Sequence, residues 1–280
     1  MNKEIIKDLI RLALAEDIGD GDHTTLSCIP PDKSGKSHLI IKEDGILAGV
    51  DVAKSIFHFF DPLLHMEIYI HDGEIVKKGN VAFTIEGKIH AILQTERLVL
   101  NVMQRMSGIA TLTRRYVKAL EDTHTRVLDT RKTTPGMRMW EKEAVRIGGG
   151  MNHRTGLFDM ILLKDNHVDF AGGIEQAISR THHYLNEKGK ILKIEIEVRN
   201  FDELEEVLRV GGVDRIMLDN FNIKDTHEAV RRIAGRYETE SSGGVTFDTL
   251  RSYADCGVDF ISVGALTHSV KSLDMSLKAM

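Results

Sequence analysis

From residue 126 onward the chain alternates short apolar runs with stretches of helical patterning, and this alternation limits the fold more than any other feature. Strand-like runs fall at 126–129, 159–163, 192–198, 215–218, 237–241 and 259–263. Between most of them lie segments with apolar residues at helical spacing, among them 201–210 and 223–234. A strand that is apolar on both faces belongs in a parallel sheet covered by helices. Repeated β–α units of this kind leave two architectures, an α/β barrel or a doubly wound sheet.

The first part of the chain has a different rhythm. Residues 4–15 place Ile5, Ile6, Leu9, Ile10, Leu12 and Ala13 on one helical face, and the polar turn EDIGDGDHTT (16–25) breaks the pattern. Strands are expected at 37–42 and 66–70, a helix at 51–59, and a strand pair over 82–92 turning at Gly87. The DGEIVKKGN segment (72–80) carries Asp-Gly and Gly-Asn turns of compact β structure. It resembles the turns of biotinyl and lipoyl carrier domains but has no modifiable Lys in an MKM-type hairpin, so a structural β turn is the reading taken. Residues 94–120 read as one or two helices with Leu98, Val102 and Met106 inward. The expected organisation is an α+β domain over 1–110 and a β/α domain over 111–269, with the tail 270–280 packing back on the first. No low-complexity linker separates them, so the two are expected to pack together.

At 280 residues the chain can bury ample core. Its formal net charge of −5 excludes a general basic field for nucleic acid. Two cysteines, Cys28 and Cys256, make no disulfide framework or metal-ligand spacing, which fits a reducing compartment. The segment MNKEIIKDLIRLALAEDIG lacks the apolar centre of a signal peptide, and no run approaches a bilayer span. A cytoplasmic protein without membrane association is expected.

Against this acidic background, residues 129–167 concentrate seven Lys/Arg and two His. The cations sit where strands stop. Thr130, Arg131 and Lys132 follow the first apolar run, and Lys164 ends the second. Glu197 ends the third, Asp219 and Asn220 the fourth, Ser242-Gly243-Gly244 the fifth and Val263-Gly264-Ala265 the sixth. In a barrel every such end faces the same mouth. Arg131 and Arg154 can grip carboxylate or phosphate through paired N–H bonds, whereas Lys132 and Lys164 supply compact charge. The two glycine loops are suited to phosphate. Glu197 and Asp219 can take Mg²⁺, hold ribose hydroxyls or balance a developing cation. Together these groups suggest a sugar phosphate reacting with an acid.

Plainer readings stand beside each of these. A single strand-end cation is more often solvated or paired with a neighbouring acid. Glu195 lies on the same strand face as Glu197, so spacing cannot choose between them. Gly148–Gly150 can simply end a helix over 139–147, and His153 can be structural.

Nine segments, in order, resemble the quinolinate phosphoribosyltransferase family (nicotinate-nucleotide pyrophosphorylases, type II phosphoribosyltransferases). They are EDIGDGDHTT, ERLVLNVMQRMSGIAT (96–111), DTRKTTPGMR (129–138), EKEAVRIGGGMNHR (141–154), LLKDNH (162–167), IEIEV (194–198), LDNF (218–221), ESSGGV (240–245) and VGALTHS (263–269). The resemblance implies transfer of phosphoribosyl from phosphoribosyl pyrophosphate to quinolinate, with loss of CO₂, to give nicotinate mononucleotide and pyrophosphate. It implies Mg²⁺ and an α/β sandwich domain followed by an open α/β barrel. It also implies a homodimer, alone or within a hexamer, with Arg97 donated across the interface. By motif match the quinolinate site is Arg131, Lys132, His153, Arg154 and Lys164, with Thr130 beside them. Glu197 and Asp219 match the ribose and Mg²⁺ carboxylates, and residues 242–244 and 263–265 the phosphate loops. Lys132, Lys164, Glu197 and Asp219 are the candidate catalytic groups. The alternatives are a Schiff-base aldolase using Lys164, a molybdenum-operon paralogue with another pyridine substrate, and a non-catalytic binder of pyridines or phosphates.

Overall fold

The structure, a computed structural model, describes residues 3–280. It divides into two compact units, one of 1–114, 133–149 and 266–280, the other of 115–132 and 150–265. The chain begins with α1 (Lys3–Ile18), α2 (His23–Cys28), β1 (Ser34–Ile41), β2 (Gly45–Ile46) and α3 (Val50–Phe60). There follow β3 (His65–Ile68), β4 (Ile75–Val76), β5 (Val81–Lys88), α4 (Ile89–Lys118), β6 (Arg126–Leu128) and α5 (Arg138–Ile147). The second half alternates as β7 (Ile161–Leu163), α6 (Asp165–Ala171), α7 (Ile174–Lys188), β8 (Ile194–Val198), α8 (Phe201–Val210), β9 (Arg215–Asp219) and α9 (Ile223–Ile233). The last elements are β10 (Glu238–Ser242), α10 (Phe247–Ala254), β11 (Phe260–Ser262), α11 (Ala265–His268) and β12 (Met275–Ala279).

The first unit is built on an antiparallel sheet of order β12-β1-β5-β3, with a small β2–β4 pair beside it. Leu39, Ile41, Phe57, Phe83 and Ile85 are fully buried, and Phe57 meets Phe83 edge to face at 6.2 Å. Each such side chain contributes roughly 1.5–3 kcal/mol through burial. Asp72 closes the turn predicted at 72–80 by accepting the Val50 N–H at 2.8 Å at the start of α3.

Two local expectations fail here. Residues 82–92 are not a strand pair: β5 continues through Gly87 to Lys88, and α4 begins at Ile89. Gly87 lies opposite Gly35 in the ladder, and a Cβ on it would come within 2.6 Å of Leu64. The glycine answers a need for close approach, which reads in sequence like a turn. The polar segment 16–25 also holds more helix than expected, since α1 runs to Ile18 and α2 starts at His23 behind the cap of Asp22.

In the second unit all six expected strands form, in one parallel sheet of order β6-β11-β10-β9-β8-β7. From β8 to β11 each strand pairs with the one before it, and β11 then pairs with the first strand, β6. A doubly wound sheet would reverse direction at a switch point. This one keeps turning until it meets its own beginning, so it is a barrel with its seam between β6 and β7. A single bridge from Leu128 to Met151 extends β6 toward that seam. Ile194, Ile196, Val198, Ile216 and Leu218 face outward onto Leu204, Val207, Ala229 and Ile233 of α8 and α9. Helices after the strands are capped by Asn200, Asn222 and Thr246, whose side chains accept backbone N–H groups three residues on. Each such cap is worth about 1 kcal/mol.

The barrel interior is charged rather than apolar. Glu195 pairs in register with Arg215, and Arg215 with Glu238. Arg215 donates to Glu238 and Glu240, both at 3.0 Å, and lies over the Phe260 ring at 4.0 Å. One guanidinium thus serves two carboxylates and an aromatic face, which is what keeps these charges compatible with burial.

Candidate active site

At the C-terminal ends of the barrel strands lies a cavity of about 420 Å³. The sequence places cations at these ends, and the fold brings them together. Thr130, Arg131 and Lys132 enter the lining from the segment after β6, His153 and Arg154 from the loop before β7, and Lys164 from the end of β7. Asp219 arrives at the end of β9, and Ser242, Gly243 and Gly244 at the end of β10. Segments far apart in sequence thus meet because parallel strands all end on one side.

Local bonds set several of these groups. The Thr130 hydroxyl accepts the Lys132 N–H at 3.0 Å, curling the chain as it leaves β6. Asp129, fully buried, accepts the His153 N–H at 2.9 Å, which fixes the start of the 153–154 loop. Arg154 is half-buried; burial first, and then neighbouring Arg131, pushes its guanidinium below the ordinary arginine range. Two neighbouring guanidiniums partly withdrawn from solvent favour a nearby anion. Lys164 donates to Glu197 at 2.6 Å, joining the ends of β7 and β8.

The strand face shared by Glu195 and Glu197 resolves by depth. Glu197 sits nearer the strand end and keeps 7% exposure, whereas Glu195 has none and lies inside the barrel. Burial, offset mainly by Arg215, raises the Glu195 carboxyl to about 7. Burial and the charge of Glu195 raise Glu240 to about 7. Carboxyls this close and this dry favour the neutral form.

The glycine loop after β10 depends on backbone freedom. Gly243 (φ 92°) and Gly244 (φ 62°) are left-handed, and a Cβ on Gly243 would come within 2.2 Å of the Asn220 side chain. Asn220 itself has φ 56° and donates to Asp219 at 2.7 Å. The loop runs into α10, whose first turn is closed by reciprocal bonds of Thr246 and Thr249. The N-terminus of a helix favours an anion.

Not every expected residue lines the cavity. Glu197 reaches it through Lys164, Val263 is buried with its N–H donated to Leu128 O at 2.9 Å, and Gly264 and Ala265 are partly exposed. Arg97 is exposed on α4, within the first unit. Gly148 caps α5 in a right-handed conformation, and a Cβ there would come within 2.6 Å of Ala110 O, so packing as well as capping requires it. Sequence reasoning missed the roles of Leu162, Met217, Glu240 and Ser262 in the lining. Glu240 had a signal, since it lies two residues before the Ser242 loop and shares its strand face.

Comparison with known proteins agrees with the geometry. Residues 22–107 match the family model "Quinolinate phosphoribosyl transferase, N-terminal domain", and residues 109–278 match that of the C-terminal domain. The chain belongs to the quinolinate phosphoribosyltransferase family. It is 47% identical over 288 aligned residues to quinolinate phosphoribosyltransferase [decarboxylating] 1b of Nicotiana tabacum, covering 98% of this chain and 82% of that one. A probable nicotinate-nucleotide pyrophosphorylase [carboxylating] of Bacillus subtilis is 41% identical, covering 99% and 94%. Among solved structures, NadC from Streptococcus pyogenes superposes with a TM-score of 0.92 at 38% identity, covering 100% of this chain and 99% of that one. The open barrel inferred from strand order is therefore the fold of this family.

Proposed function

We propose that the chain transfers phosphoribosyl from phosphoribosyl pyrophosphate to quinolinate and releases CO₂, forming nicotinate mononucleotide and pyrophosphate for NAD biosynthesis. The observation that carries the reading is the composition of the cavity in a member of this family. Arg131, Lys132, Arg154 and Lys164 converge on it from three segments, and a left-handed glycine loop joins them. Four cations exceed what a monoanion needs and suit the adjacent carboxylates of quinolinate. The loop 242–244 and the N-terminus of α10 take the ribose phosphate. As pyrophosphate leaves C1 of the ribose, positive charge develops there, and Asp219 and Glu197 stabilise it. The pyridine nitrogen attacks C1. The resulting ring cation stabilises the electron pair left at C2 when the 2-carboxylate departs as CO₂, C2 then takes a proton from solvent, and the cationic pocket orients that carboxylate out of water before it leaves.

The oxygen donors of Glu197 and Asp219 fit Mg²⁺, which takes one or two carboxylates together with substrate phosphates. When bound, it would neutralise charge on the pyrophosphate. Lys164 serves as a charge partner: an ammonium tied to Glu197 at 2.6 Å is poorly placed to form a Schiff base.

A homodimer with Arg97 reaching the neighbouring site completes the reading. Leu157 and Phe158 in the 150s loop and Phe170 on α6 are 72%, 72% and 88% exposed, apolar side chains that a second copy could cover. No helix among the described residues is long and apolar enough to cross a membrane. Two unpaired cysteines fit a cytoplasmic enzyme, although some plant relatives carry mitochondrial or chloroplastic in their names.

The deciding experiment incubates the protein with Mg²⁺, phosphoribosyl pyrophosphate and either quinolinate or nicotinate. Nicotinate mononucleotide detected by mass from quinolinate alone is the expected result. Product from nicotinate alone, or from neither, rejects the assignment.

A further inference from the structure

The loop that delivers Arg154 to the cavity is closed on itself by a residue with no part in the reaction above. Between Arg154 and β7 the chain makes a tight excursion, Thr155 to Asp159, whose tip exposes Leu157 and Phe158 at 72% each. Asp159 shuts its neck. One carboxylate oxygen accepts the Thr155 N–H at 2.7 Å, and the other accepts the Gly156 N–H at 2.9 Å. A further contact lies just outside them, where Arg154 Nη1 reaches Met160 O at 3.4 Å. Gly156 is buried, and a Cβ on it would strike the Phe158 ring, so the tip folds back over its own backbone.

Both oxygens are committed to main-chain donors, at lengths typical of charge-assisted bonds. Burial alone would raise the carboxyl; the N–H groups of Thr155 and Gly156 outweigh it and hold Asp159 below the ordinary aspartate range. The carboxylate also lies close enough to Arg154 to favour its charged form. The segment 155–159 belongs to no helix or strand, so the bonds across its neck set its path.

We propose that Asp159 is a positioning residue for binding of the pyridine dicarboxylate. By closing the neck of the loop it fixes the main chain at Thr155, and with it the direction in which Arg154 enters the cavity. The role is indirect, since Arg154 lines the cavity and Asp159 does not. The first of its bonds falls on the residue directly after Arg154, so a neck released there frees the Arg154 main chain to turn. A shift of about 1 Å at the guanidinium is enough to break a charge-assisted hydrogen bond to a substrate carboxylate. This inference rests on the proposed quinolinate reaction for its kinetic arm; the closed neck stands without it.

Two measurements test it. Asp159→Ala removes both acceptors, and the quinolinate KM should rise about tenfold. The KM for phosphoribosyl pyrophosphate should stay within about twofold, since its proposed phosphate seat follows another strand. Asp159→Asn keeps one acceptor oxygen and should give an intermediate quinolinate KM. An unchanged quinolinate KM in Asp159→Ala overturns the proposal. An equal rise for both substrates overturns it too, because that is a general loosening of the fold. The second measurement uses the wild-type protein and so avoids a variant that folds poorly. Thr155–Gly156 is the only Thr–Gly step in the sequence, so carbon-13 at the threonine carbonyl and nitrogen-15 in glycine isolate the Gly156 amide. Its proton should exchange with solvent at least about tenfold more slowly than that of an open loop. Exchange at the open-loop rate overturns the proposal. A slowly exchanging Gly156 in a protein that fails to turn over quinolinate rejects the reaction and leaves the closed neck in place.

Discussion

Arg154 carries the sharpest consequence at the scale of single residues. Its guanidinium is half-buried beside Arg131 and donates to the Met160 carbonyl at 3.4 Å. Arg154→Ala should raise the quinolinate KM roughly 10- to 100-fold, the equivalent of a lost charged hydrogen bond of about 1.5–3 kcal/mol. Circular dichroism should show the fold intact; near-normal kinetics would remove the residue from the site. Glu240 predicts an effect of another kind. Its folded pKa, about 7, lies above the ordinary value near 4.5, so the folded chain holds a proton that the unfolded chain releases. Below about pH 4.5 both states are neutral and Glu240 costs nothing; between about 4.5 and 7 its contribution to stability falls as pH rises. The loss levels off above that window at about 3 kcal/mol. Glu240→Gln removes this dependence, so its melting temperature relative to wild type should climb from pH 5 to pH 8. A constant difference across that range would show that burial does not perturb the group.

At the scale of elements, the glycine loop after β10 is the most demanding segment. Gly243→Ala would force a Cβ against Asn220 at a left-handed φ of 92°. Strain and overpacking together predict a loss of about 2–4 kcal/mol, or a displaced loop. In either case the KM for phosphoribosyl pyrophosphate should rise more than that for quinolinate, and equal effects on both would dissociate the loop from phosphate. The elements also show what a sequence can disclose. The central barrel strands were readable because each buries its outer face under a helix, leaving apolar runs such as those of Ile194, Ile196 and Val198. The cations at the strand ends were readable for the same reason, since a parallel barrel gathers every such end. Gly87 was misread because a glycine required by Leu64 across a ladder looks the same as one required by a turn. Glu240 was passed over because nothing within ETESS marks that glutamate as buried, whereas its burial is made tolerable by Arg215, a partner in another strand. Long-range pairing of this kind leaves no periodic trace.

The whole molecule adds the relation between copies. If Arg97 serves the neighbouring site, neither Arg97→Ala nor Arg154→Ala alone should turn over quinolinate well. Mixing the two after dissociation and reassembly should restore about a quarter of wild-type activity, because half of the dimers are hybrid and each hybrid has one intact site. No recovery on mixing would place Arg97 in its own subunit's chemistry or outside the site altogether.

The strand pairings carry a consequence for how the chain reaches this state. In the first unit, β1 finds a partner in β12, at Met275–Ala279. In the second, β6 is closed by β11, more than a hundred residues later in sequence. Both sheets thus wait for the end of the chain, and such distant pairings make folding slow. During synthesis β1 and β6 leave the ribosome long before β12 and β11 exist, each with an unpaired edge exposed to other chains. The geometry that gathers the site from scattered residues also leaves the newborn chain with open strand edges until late in its synthesis.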